Sequence, residues 1–168
     1  MLLPSELKRA WRSRKRWQRF RIVMSSMARK AATEKTTRIN REAAAPTGIE
    51  KYCRGLDTWP RSWMGMEEDI PPGERLTECF RPFIEHLVSS VKSRRTIQDH
   101  VDNMWALGGE FITSLNYDPT LRKRPVERVL KEMIRYGGPR LRHADEEEQA
   151  SFDTTCEIFR RFLSKTAR

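Results

Sequence analysis

No stretch of the chain holds the roughly 18 consecutive apolar residues that a bilayer-crossing helix requires, so no membrane span is encoded. Cysteine is scarce and odd in number, with Cys53, Cys79 and Cys156 far apart. That argues against a disulfide framework and fits a reducing, cytoplasmic setting. No cysteine pairs with another cysteine or a histidine at metal-ligand spacing, so no metal and no cofactor is expected. P-loop, GxGxxG, GxSxG and HExxH patterns are all missing. The few histidines fall in different elements: His86 and His100 read as polar surface residues on helix faces, and His143 as a solvated loop residue. Without a nucleophile, acid and base in one constellation, the chain does not read as an enzyme. No run of alternating apolar and polar residues demands a strand, and there is no internal repeat. A secretory signal is also missing, because Leu2 and Leu3 precede the charges and residues 11–17 are the opposite of an apolar stretch.

What the chain does have is an uneven charge. Its 168 residues carry 33 Lys+Arg against 23 Asp+Glu, a net of +10. Residues 1–51 hold 14 basic and 4 acidic side chains, so the whole excess lies there, and residues 52–168 hold 19 of each. A single uniformly basic domain is excluded. Three parts follow: a basic, partly disordered arm and linker over 1–51, an irregular aromatic lead-in over 52–73, and a helical bundle over 74–168.

The arm packs eight Lys/Arg into residues 8–21, with Trp11, Trp17 and Phe20 interleaved. Arg12, Arg14, Lys15, Arg16, Arg19 and Arg21 suit phosphates, and the rings suit stacking on bases. The same composition suits an anionic membrane surface or a transit peptide. A third reading also stays open. Met27-Ala-Arg-Lys resembles an ordinary start, and a start there removes eight positive charges and Glu6, leaving +3.

Helical periodicity dominates from residue 74. Leu76, Phe80, Phe83, Ile84, Leu87, Val88 and Val91 recur at steps of three and four. The Pro71-Pro72-Gly73 run is expected to stop anything upstream, and Pro82 to kink this helix or mark its true start. Ser93 is placed to cap the next helix. Ile97, Val101, Met104, Trp105, Gly108, Phe111, Ile112 and Leu115 then share one face, with close helix approach as one reason for Gly108. Val126, Val129, Leu130, Met133 and Ile134 mark a third helix, begun at Pro125 and ended by Gly137-Gly138-Pro139. Phe152, Cys156, Phe159 and Leu163 mark a fourth, with the 145–148 acids at its start. The pattern predicts an all-α fold, a compact four-helix bundle behind a basic arm.

Two basic clusters stand out in the bundle. Lys92, Arg94 and Arg95 adjoin a helix start that favours phosphate, and Gln98 is one turn in, where it can reach a base edge. Arg122, Lys123, Arg124, Arg128, Lys131 and Arg135 surround the third helix, four of them on one face. Double-stranded DNA is the partner these imply, provided that both clusters share a side away from the 145–148 acids.

Residues 76–105 resemble the start of the core-binding domain of phage-integrase-type tyrosine recombinases. The matching positions are Phe83 and Leu87 on one helix, Ser93 in the turn, and Thr96, Ile97, His100 and Met104 on the next. The resemblance spans roughly 74–166 and implies a SAM-like four-helix domain that holds one face of DNA. The catalytic domain with its Arg…HxxR…Tyr constellation does not follow, and Tyr117 and Tyr136 lack that context. The resemblance therefore implies a DNA-binding module without recombinase chemistry. Residues 105–110, Trp-Ala-Leu-Gly-Gly-Glu, also resemble the WxLGGE second helix of short uncharacterised bacterial proteins, which implies no activity. The competing expectation is a protein-interaction module or small regulatory partner without a nucleic-acid role, docking through an exposed patch at Tyr52, Trp59 and Trp63.

Overall fold

The computed structural model describes residues 48–53, 55–90, 92–142 and 144–166, and among them every regular element is helical. The arm residues Arg12, Arg14, Lys15, Arg16, Arg19 and Arg21 lie outside the described residues. All elements below belong to the unit formed by residues 46–141 and 145–168.

Proline starts the first two helices. Helix α1 (Trp59–Trp63) carries Pro60 in its first turn, and α2 (Ile70–Ser89) carries Pro71 and Pro72 in its own. A first-turn residue has no intrahelical acceptor for its N–H, so proline costs nothing there, and its fixed φ suits the helix. This corrects two expectations. The 52–73 lead-in contains a helix, and α2 begins at Ile70 because Pro71-Pro72-Gly73 initiates it instead of halting a predecessor. Pro82 neither begins nor ends α2; it lies on the exposed side of an unbroken helix.

Helix α3 (Arg94–Tyr117) is the longest among the described residues, at 24 residues, which spans about 36 Å at 1.5 Å per residue. Its start is capped as the sequence predicts: Ser93 Oγ accepts from the Thr96 N–H at 3.1 Å. Ser93→Ala is expected to cost about 1 kcal/mol, read as a shifted urea midpoint at unchanged slope. Asp118 ends α3 and caps a short 3-10 segment, Pro119–Lys123, by accepting from the Thr120 N–H at 3.0 Å. Helix α4 (Val126–Met133) follows Pro125. Gly137 has φ +103°, a conformation that favours glycine. Helix α5 (Glu146–Thr166) completes the fold. Its acidic start is a reciprocal cap: Asp145 Oδ1 accepts from the Glu148 N–H (2.8 Å), and Glu148 Oε2 accepts from the Asp145 N–H (3.3 Å).

The helices pack as a bundle around an aromatic spine. Trp59 meets Trp63 edge-on at 5.6 Å, and Trp63 meets Phe80 of α2 at 6.3 Å. Phe80 and Phe83 both reach Phe159 of α5, at 5.6 and 4.9 Å. The stripes read from periodicity are the buried ones: Leu76, Phe80, Phe83, Ile84 and Leu87 on α2, and Ile97, Val101, Met104, Phe111, Ile112 and Leu115 on α3. Helices α3 and α5 run antiparallel, since Asn103 contacts Ser151 while His100 contacts Thr155.

Gly108 shows why the second stripe contains a glycine. A Cβ there would lie 2.2 Å from Trp63 Cζ2. The indole rests directly on the α3 backbone, and its Nε1–H donates to the Trp105 carbonyl at 3.0 Å. Trp105 in turn donates to Ser62 Oγ at 3.0 Å, tying α1 to α3 twice. Trp59 and Trp63 are each only 8% exposed, and Tyr52 is half-buried. The exposed docking patch expected at Tyr52, Trp59 and Trp63 is therefore corrected: the two indoles serve the core.

Candidate functional site

Ser90 ends α2, and Ser93 caps the start of α3. Lys92, Arg94 and Arg95 surround that cap, and all three are exposed. None makes an ion pair with a carboxylate among the described residues. Three cations without such a partner thus flank, in sequence, a helix start whose first-turn N–H groups carry partial positive charge. Gln98 is half-buried, and its amide donates to Asp102 Oδ1 at 3.0 Å, an i,i+4 bond within its own helix.

The second cluster differs. Arg122 is committed to the fold. Its guanidinium donates to Asp69 Oδ1 (2.5 Å), Asn116 Oδ1 (2.6 Å) and the Glu68 carbonyl (3.0 Å). Asp69 is wholly buried and also accepts from the Gly65 and Met66 N–H groups, at 2.8 and 3.1 Å. Burial alone would raise the Asp69 pKa, but the bonds from Arg122, Gly65, Met66 and Asn116 outweigh it and hold the carboxyl below its ordinary range. This clasp joins the entrance of α2, the end of α3 and the segment beyond it. Arg122 is a structural residue, which corrects its assignment to a DNA surface.

Arg124 and Arg128 both lean on Glu132, at 2.6 and 3.5 Å. Arg135 stacks over the Tyr136 ring at 5.2 Å. Lys123 and Lys131 are exposed, and Lys131 borders a hollow of about 200 Å³ between α2, α4 and α5 with Cys79, Glu127, Leu130 and Leu163. Lys92 precedes α3 and Lys123 follows it, so about 36 Å of helix lies between these two cations.

His100 is a correction of another kind. It is 8% exposed, with Nδ1 at 2.9 Å from Thr155 Oγ1, so it belongs to the interior between α3 and α5. Spacing carries that signal, since residue 100 lies three after Ile97 and four before Met104, on the apolar stripe. Desolvation and the nearby Lys92 lower its pKa, against a smaller opposing effect of Asp99.

Burial pushes the thiols of Cys53 and Cys156 up to about 12, and that of Cys79 up to about 11, so at neutral pH they are protonated and poor nucleophiles. No group of three His, Cys, Asp or Glu is arranged to hold a metal among the described residues. No helix among the described residues is long and apolar enough to cross a membrane. Comparison with family models, with curated proteins and with solved structures gives no match.

Proposed function

We propose that the chain acts by binding double-stranded DNA through its phosphates, without catalysing a reaction. The observation that carries this reading is the trio Lys92, Arg94 and Arg95: exposed, free of carboxylate partners among the described residues, and gathered at the capped start of the longest helix. Structural cations in this fold find acidic partners, as Arg122, Arg124 and Arg160 do. Three neighbouring ones without such partners are left available to the phosphates of a polyanion. In this reading α2 to α5 form a SAM-like four-helix core of the recombinase core-binding type, and its Ser-containing turn is the phosphate contact. Lys123, Lys131 and Arg135 are secondary contacts. The basic segment at 8–21 adds attraction that does not depend on sequence.

The reading specifies recognition chiefly of the backbone, because its three cations suit phosphates. Fluorescence anisotropy with a labelled duplex of about 20 base pairs is expected to show binding at low salt that weakens steeply as salt rises. Failure to bind any duplex at low salt overturns it.

A further inference from the structure

We propose that the interface at the start of α3 is a proton-linked one, in which His100 takes up a proton as duplex binds, so that the complex tightens as the solution is acidified. This inference rests on the DNA-binding reading above.

His100 stands one helical turn beyond Thr96 and two beyond Ser93, on the same face of α3. Its surroundings assign its proton. The Thr155 hydroxyl donates to the Ser151 carbonyl (3.1 Å) and accepts from Asn103 Nδ2 (2.9 Å). One lone pair of Thr155 then remains, and it takes an N–H from the ring. With the Thr155 proton on the Ser151 carbonyl, the neutral imidazole carries its own proton on Nδ1 and leaves Nε2 as an acceptor. No side-chain nitrogen or oxygen sealed in the described interior lacks a partner. Nε2, which has no partner among the described residues, is thus not wholly sealed from solvent.

Protonation at Nε2 keeps the Nδ1–H bond to Thr155, so the ring accepts a second proton without repacking. The charges acting on it are Lys92 from the linker, which opposes that proton, and Asp99 on its own helix, which favours it; α5 contributes the neutral Thr155. Alone, the protein at neutral pH holds this ring uncharged beneath Lys92. A phosphate seated on Lys92 offsets the repulsion and attracts an imidazolium behind it. Linkage then requires that whatever raises the affinity for the proton also raises the affinity for duplex in the protonated form.

The test compares duplex affinity of the full chain at pH 7.5 and 5.5, at one ionic strength, for wild type, His100→Gln and His86→Gln. Glutamine keeps a donor toward Thr155 but does not titrate. Wild type and His86→Gln are expected to bind about fivefold more tightly at the lower pH, within the tenfold that one unit of pKa change allows. His100→Gln is expected to change less than about twofold. In wild type, the NMR titration midpoint of the His100 ring is expected to rise when duplex is added. Duplex binding with equal pH dependence in His100→Gln, or with an unmoved His100 midpoint, overturns the proton linkage alone. Absence of duplex binding at both pH values overturns the DNA reading itself.

Discussion

Asp69→Ala is expected to be among the most damaging single substitutions in the bundle, lowering stability by about 3–5 kcal/mol. The carboxylate is wholly buried and takes bonds from Arg122, Asn116 and the Gly65 and Met66 N–H groups. Removing it takes the carboxylate from Arg122, which keeps only Asn116 and the Glu68 carbonyl, and takes the shared acceptor from two backbone N–H groups, and each donor left without an acceptor carries a desolvation cost. Arg122→Ala is expected to cost less, since the two backbone donors still hold the carboxylate. In the Asp69→Ala background it should cost almost nothing further, which a double-mutant cycle in urea measures. Full additivity of the two would dissolve the clasp.

Asp69 also sets an acid limit. Its carboxyl titrates lower in the fold than in the unfolded chain. The stability it contributes is therefore complete above the ordinary carboxyl range near 4 and is lost as the pH falls through the folded value. Asp69→Asn removes that part of the acid dependence. Glu157, held at about 2 by Arg160 and Arg161, and Glu132, held down chiefly by Arg124, retain theirs.

Gly108→Ala is the second large effect. A glycine-to-alanine change in a helix interior ordinarily stabilises by about 1 kcal/mol. Here the added methyl meets Trp63 Cζ2 at 2.2 Å and Cη2 at 2.4 Å. The indole cannot swing aside cheaply, because its Nε1–H is bonded to Trp105 and its ring lies against Trp59 and Phe80. The overpacking cost is expected to reach about 3 kcal/mol, leaving a net loss of about 2. Trp63→Phe removes the ring atoms that clash. In that background Gly108→Ala should cost far less, and an undiminished cost would refute the proposed contact.

The parts of this fold legible in sequence are those governed by local repetition. Phe80, Phe83, Ile84 and Leu87, or Met104, Gly108 and Phe111, advertise a buried face because three- and four-residue steps place them on one side of a helix. Ser93 is legible for the same reason, since a cap depends on neighbours three residues away. The parts not legible are pairings across long separations. Nothing near Arg122 in sequence reveals Asp69, and a guanidinium inside the run Arg122-Lys123-Arg124 reads as one more solvated cation. Trp59 and Trp63 mislead because two indoles amid prolines fit a docking loop as well as a helix seated on Gly108. His100 misleads because its polar identity points outward while its position on the apolar stripe points inward, and position decides.

The candidate interface divides in the same way. Lys92, Arg94 and Arg95 are exposed beside a capped helix start, as the sequence predicts, because such a cluster is a local feature. Arg122, Arg124, Arg128 and Gln98 give up much of theirs to partners folded against them. The net charge of +10 therefore matters less than which cations the fold leaves unspent.

The most direct measurement is the salt dependence of duplex affinity for wild type and for the triple variant Lys92→Gln, Arg94→Gln, Arg95→Gln. The full chain is used for both, so the basic segment at 8–21 contributes equally. All three side chains are exposed and Ser93 is kept, so helix content and unfolding midpoint should match. Each phosphate that the protein no longer neutralises lowers the slope of log affinity against log salt by about one. A slope shallower by about three, with affinity at low salt reduced at least about tenfold, is the result expected. A triple variant that binds duplex with the affinity and slope of wild type would contradict the assignment of this interface.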